Sequence, residues 1–403
     1  MSTIQAFQIR LTPCGTFFFG GERSLSGTGN DNYYVKSRHF PQQTSVLGLL
    51  RMQLLASAGL LAEPHTGKKI PDENAAQALI GNTGFQAGNT NSFGAIEGIS
   101  PIMLAQGDAL FAPMLFSANM NFAQKMNGRF VSALDEKHVK ANNYLPSFQI
   151  DGTDFDPKKE PPEKLFGTHG NAPVQFSDVF EERVSVGITK NKKHFPFLYS
   201  NDKIKPSEEA EMEGFFKQVS YRLKKGWSFV FVAWLEQEAG AKLSEFSKSN
   251  PVVWFGGERS AFNCQVDKME IVLDLAPGFP GSDNEMIKVV LLSDAWADPG
   301  SIYQHCLFAH TKAQEFRHLI SSVSKTENYY QRGKNAADNT SLGRSDKHHL
   351  FQRGSVFHCE SKAQADALSS LLSSPQDFRR IGYNAFVSVH SEVVPNYFNP
   401  VNQ

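Results

Sequence analysis

The stretch that decides the fold begins Phe7-Gln8-Ile9-Arg10-Leu11 and continues as TPCGTFFFGGERSLSGTGNDNYYVKSRHFPQQTSVLGLLR over residues 12–51. Phe7, Ile9 and Leu11 alternate with Gln8 and Arg10, the period of a half-buried strand. From about Ser45 to Ala58, Val46, Leu49, Leu50 and Leu54 recur at helical spacing, with Thr44 or Ser45 available as N-cap and Gly59 as the stop. Between strand and helix lies a long loop carrying Gly15, Gly20, Gly21, Gly27 and Gly29 together with Arg23, Lys36, Arg38 and His39. Amides freed by glycine, a helix N-terminus and guanidinium groups together suit an anion or a nucleic-acid backbone. Loops of this length serve equally as lids or contact surfaces. Arg51, set between apolar positions of the helix, either reaches back to the loop or faces solvent.

Working outward, composition restricts what that loop can do. Across 403 residues, 40 basic side chains meet 41 acidic ones, so no global field draws nucleic acid and any RNA site must be local. The chain is long enough for two domains with insertions, and its 33 phenylalanines predict aromatic-rich cores. Cys14, Cys264, Cys306 and Cys359 are scattered without zinc-ligand spacing, which fits free thiols in a reducing compartment and implies no metal. No apolar run reaches membrane-spanning length and the first residues lack a signal-peptide pattern, so a cytoplasmic protein without membrane contact is expected. No complete P-loop, dinucleotide fingerprint, G-x-S-x-G or H-E-x-x-H pattern occurs, so neither a cofactor nor a catalytic residue is assigned. His39 is the best candidate for a general base if the chain cleaves RNA.

Further along, Phe215–Leu223 and Trp227–Leu235 are strand-length runs joined by Lys224-Lys225-Gly226, which reads as a hairpin with a basic tip. The second run is apolar almost throughout and therefore needs a packed layer on each side. Glu182 to Ile188 leads into a turn with Lys190, Lys192 and Lys193. Gly256-Gly257-Glu258-Arg259 reads as a tight turn beside an apolar strand. Residues 325–353 hold six basic and three acidic side chains with Tyr329 and Tyr330, giving basic groups interleaved with aromatic planes. A strand from Gly354-Ser355-Val356-Phe357, a helix near Lys362 to Leu372 and a strand near Ala385 to His390 close the pattern.

Leu11-Thr12-Pro13, Phe17-Phe18, the Gly20-to-Arg23 turn, and Arg38-His39-Phe40-Pro41 through Thr44, Leu47-Gly48 and Arg51 fall in an order that resembles a known signature. The likeness is to the RAMP-superfamily subunit that binds the 5′ handle of guide RNA in type III-B CRISPR (Cmr) effector complexes. Cys14-Gly15 stands where that family commonly has an acid, and Gln42 replaces a proline. Of the family's late glycine-rich loop, only Gly382 is present.

The resemblance implies an α+β fold of two ferredoxin-like (RRM-like) domains with antiparallel sheets, inserted hairpins and long loops, divided here as 1–205 and 206–403. It implies a non-catalytic RNA-binding role, holding the crRNA 5′ handle and docking the large polymerase-cyclase subunit. Backbone RAMP subunits would be neighbours and target RNA an indirect partner. Carried onto this chain, the RNA contacts are Arg23, Lys36, Arg38, His39, Arg51, Arg183, Lys190, Lys192, Lys193, Arg259, Arg344, Arg353, Gly354, Ser355, Arg379 and Arg380. The alternatives are a guide-processing RAMP endoribonuclease and a cytosolic assembly protein with no RNA role.

Overall fold

The computed structural model describes residues 3–21, 23–25, 33–61, 70–82, 84–88, 90–114, 124–126, 129–131, 148–150, 153–155, 164–167, 174–189, 214–258, 260–269, 287–306, 308–317, 319–320, 343–345, 347–359 and 361–389. The apolar run predicted to need two covering layers is the strand Trp227–Glu236, buried from Trp227 through Leu235. It lies at the centre of a nine-stranded sheet, paired antiparallel with Ile4–Pro13 on one edge and with Met103–Gln106 and Ile96–Ile99 on the other. Ala261–Lys268 adds to the far side of Ile4–Pro13, and Val252–Trp254 forms that edge of the sheet.

Alternation then decides which side chain meets which layer. Phe229, Phe231 and Leu235 share a core with Phe7, Ile9 and Leu11 and with Val46, Leu50 and Leu54 of the helix Gln43–Ser57. Val230, Val232 and Trp234 point the other way, onto Val290, Leu292, Val356 and Val387 of a second sheet. That sheet orders Phe308–His310, Val356–Cys359, Ile287–Leu291 and Phe386–Val389, all antiparallel. Its outer face packs Val289 and Leu291 on Ala365, Leu368 and Leu372 of the helix Lys362–Ser373. The layers therefore run helix, sheet, sheet, helix, an α+β arrangement with mostly antiparallel strands.

Three expectations need correction. The basic-tipped hairpin does not form: Gly214–Leu223 pairs with Phe180–Thr189 and with Tyr33–Lys36, in a sheet separate from Trp227–Glu236. The turn itself is present, with Gly226 at φ +89°, but it carries the chain from one sheet to another. The physical reason is burial. The alternating strand has one wet face and joins a half-exposed sheet, while its apolar neighbour must be covered on both faces. The large sheet also takes strands from both sides of residue 205, so the expected division does not follow a sheet boundary. Finally, the first helix starts at Gln43 after Gln42, whose side chain makes no cap, so neither Thr44 nor Ser45 caps it. Among the described residues no helix is long and apolar enough to cross a membrane.

Candidate nucleic-acid interface

Glycines hold the first loop in shape by close approach. A Cβ on Gly21 would lie 1.8 Å from the Lys36 carbonyl oxygen, so only glycine lets these two backbones meet there. The Arg38 amide donates to the Gly20 carbonyl (2.8 Å) and the Phe19 amide to Ser37 Oγ (2.9 Å). Downstream, the Ser37 amide donates to Val219 (2.8 Å), which pins residues 36–40 beside the strand Gly214–Leu223.

The segment lines a cleft of about 510 Å³ whose other wall is the C-terminal segment bearing Asp294, Lys312, Gln314, Gln352 and Arg353. Lys36, Arg38, Lys312 and Arg353 contribute four positive charges to it against the one negative charge of Asp294. Phe40, Phe176, Tyr221 and His39 supply its rings.

The side chains differ in what they are free to do. Lys36 forms an ion pair with Glu182 at 2.6 Å, which raises its pKa to about 12 against the opposing effect of burial. His39 stacks on Tyr221 with centroids 4.2 Å apart and meets Phe180 and Phe176 at 4.7 and 4.8 Å. Burial in this aromatic cage, aided by the Lys36 charge, pulls its pKa down to about 4, so the ring is neutral at physiological pH. Arg38 donates from Nη2 to the Glu315 carbonyl (3.1 Å) and, with the Gln314 amide turned oxygen-first, to that oxygen at 2.7 Å. Gln42 reaches the same Glu315 carbonyl at 3.3 Å, tying the first loop to the C-terminal wall.

Arg353 forms the floor. Its guanidinium lies over the Phe40 ring at 4.6 Å, donates from Nη1 to the Ile102 carbonyl (3.2 Å) and has Nε 3.6 Å from Asp294 Oδ1. Burial lowers its pKa and Asp294 opposes the shift; Nη2 is buried without a hydrogen-bond partner. That orphan donor keeps positive potential at the bottom of the cleft.

Of the residues expected to touch RNA, the structure brings Lys36, Arg38, His39 and Arg353 together on this cleft. Others are turned to structural work. Arg51 is buried, donates to the Ser92 carbonyl (2.9 Å) and sits over Phe93, so it points away from the loop. Arg380 donates to the Ile96 carbonyl (2.9 Å) and pairs with Glu97 at 3.1 Å. Gly354 holds φ +83° in a buried turn, and Ser355 is fully buried with Oγ donating to the Gln352 carbonyl (2.6 Å), so neither is open to a polyanion. Arg183 is half-exposed and paired with Glu181 at 2.6 Å, on a strand outside the cleft lining. Arg379 is half-buried in the short helix Gln376–Arg380. Lys190, Lys192, Lys193 and Arg259 lie outside the described residues; Arg23 and Arg344 lie in strands whose side chains are likewise not described. Lys312, Gln314 and Gln352 carry no motif and were invisible to pattern reading.

With this geometry in view, residues 201–390 match the family model for the CRISPR-associated protein (Cas_Cmr3). The C-terminal part of the chain is thus similar to that family. No curated protein matches. Among solved structures, a chain of a type III-B Cmr-β complex bound to cognate target RNA is 11% identical, with TM-score 0.44, covering 98% of this chain and 100% of its own. A second Cmr-β structure, with target RNA and AMPPnP, is 12% identical at TM-score 0.45, covering 95% and 96%. A chain of the Csm3-Csm4 subcomplex of a type III-A interference complex is 10% identical at TM-score 0.33, covering 88% and 97%. The matched Cas_Cmr3 span takes in the whole C-terminal wall of the cleft, from Asp294 to Arg353.

Proposed function

We propose that this chain is a non-catalytic RNA-binding subunit of a type III-B CRISPR ribonucleoprotein. In this reading it holds the repeat-derived 5′ handle of the guide RNA in the cleft between its first loop and its C-terminal wall. It also ends the backbone of RAMP subunits and docks the large polymerase-cyclase subunit. Target RNA is then met only through the guide.

One observation carries the reading. In a chain with no net positive charge, whose residues 201–390 match the Cas_Cmr3 model, cations from residues 36–38 and from residues 312–353 converge on one ring-lined cleft. Single-stranded RNA needs that pairing of phosphate-binding charge with aromatic surface.

Strand order supports the ferredoxin-like part of the proposal. Ile4–Pro13, Gln43–Ser57, Met103–Gln106, Trp227–Glu236, Gln237–Ser249 and Ala261–Lys268 follow a β-α-β-β-α-β path with spatial order second, third, first, fourth. Ile287–Leu291 through Phe386–Val389 repeat both path and order. The pH at which His39 titrates argues for binding over cleavage: a base of pKa about 4, caged by rings, is poorly suited to take a proton from a ribose hydroxyl at pH 7.

The test is RNA binding by the assembled complex with Arg38→Glu and Lys312→Glu together. Affinity for handle-bearing RNA should fall at least tenfold. The slope of log affinity against log salt should become shallower by about 1.4, for two phosphate contacts on a single strand. An unchanged slope would remove the cleft from the RNA path.

A further inference from the structure

Within the cleft, most polar side chains already have partners. Lys36 is held by Glu182, Gln42 by the Glu315 carbonyl, and Gln314 by Arg38. Gln352 differs: it lines the cleft half-buried, and its carboxamide has no hydrogen-bond partner among the described residues. Its backbone is fixed at both ends, the amide donating to the Lys312 carbonyl (2.8 Å) and the carbonyl accepting from Ser355 Oγ (2.6 Å). A carboxamide on a backbone so anchored offers the cleft a donor and an acceptor. Arg353, also in the lining, contributes a buried charge with an orphan N–H, which favours ligand atoms that accept hydrogen bonds. Phe176 and the neutral His39 ring supply apolar planes.

We infer that the cleft takes one unstacked purine base of the bound RNA and that Gln352 reads its N7 edge. This rests on the proposed RNA-binding role and deepens it. N7 is an acceptor that adenine and guanine share and pyrimidines lack, and a glutamine amide engages it in good geometry, as it does in adenine recognition. The larger purine face also stacks better on the ring wall. The cleft volume, about 510 Å³, falls within the usual range of roughly 300–1,000 Å³ for small-ligand sites.

The experiment uses the assembled complex and handle-bearing RNAs in which each purine in turn is replaced by its 7-deaza counterpart. At one position, affinity should drop about fivefold to tenfold, the worth of one hydrogen bond left unmade. In Gln352→Met that position should lose its sensitivity while the others are unchanged, and whether it is an adenine or a guanine names the base. Gln352→Glu, which keeps an acceptor but loses the donor, should behave as Gln352→Met does. The inference is overturned if no position responds, or if the response persists in both variants. If Arg38→Glu with Lys312→Glu leaves RNA binding intact, the parent reading fails instead, and the two failures are distinguished.

Discussion

His39 shows how a residue's surroundings can reverse its apparent role. As a sequence feature it is a basic loop residue beside Arg38; in the structure it is a neutral ring packed among three others. Because its folded pKa of about 4 lies below the ordinary 6.5, the unfolded chain binds more protons between those values. The stabilisation is therefore complete above pH 6.5 and is lost as pH falls toward 4, by up to about 3 kcal/mol. His39→Phe should flatten that part of the stability-against-pH curve, measured by urea unfolding at pH 7 and pH 4.5. An identical pH response in variant and parent would show that His39 is not the titrating group. The same residue scale explains why two of the arginines are buried. Sequence marks Arg51 and Arg353 as positive but is silent on burial, which depends on Phe93 and Phe40 arriving from other elements.

At the scale of elements, periodicity was legible wherever one face or both faces of a segment are buried. The alternation of Ile4–Pro13, the helix ending before Gly59 and the wholly apolar Trp227–Glu236 were all readable for that reason. Partner choice was not, since Lys224-Lys225-Gly226 marks a turn but says nothing about whether the flanking strands share a sheet. Two substitutions should separate the two environments. Val232→Asp sets an unpaired carboxylate between the two sheets and should abolish cooperative folding, costing several kcal/mol. Arg222→Asp, on the exposed side of the alternating strand, should change stability by no more than about 0.5 kcal/mol. Thermal melts decide; a tolerated Val232→Asp would mean that the sheets do not pack as described.

Over the whole molecule, the cleft keeps its shape only if the two layers flanking it move as one body. Polar contacts between the layers support that. Gln43 is fully buried, donates from Nε2 to the Ser100 and Ile381 carbonyls (3.0 and 2.8 Å) and accepts from the Ile102 amide (3.1 Å). Asn91 donates to Asp377 (2.8 Å), and Arg380 reaches Ile96 across the same boundary. Gly382 is required there, since a Cβ would stand 2.0 Å from Gln43 Nε2. None of these long-range pairings was visible in the sequence, because each joins segments far apart in the chain through one unremarkable side chain. Gln43→Ala strands three buried backbone groups and should cost about 3 kcal/mol, roughly a hundredfold in the exchange rate of globally protected amides. If the layers are coupled, hydrogen exchange should quicken by the same factor in Trp227–Glu236 and in Ile287–Leu291. Acceleration confined to one of those strands would mean the two sheets open independently, and a cleft shared between them would then have no fixed geometry with which to read a base.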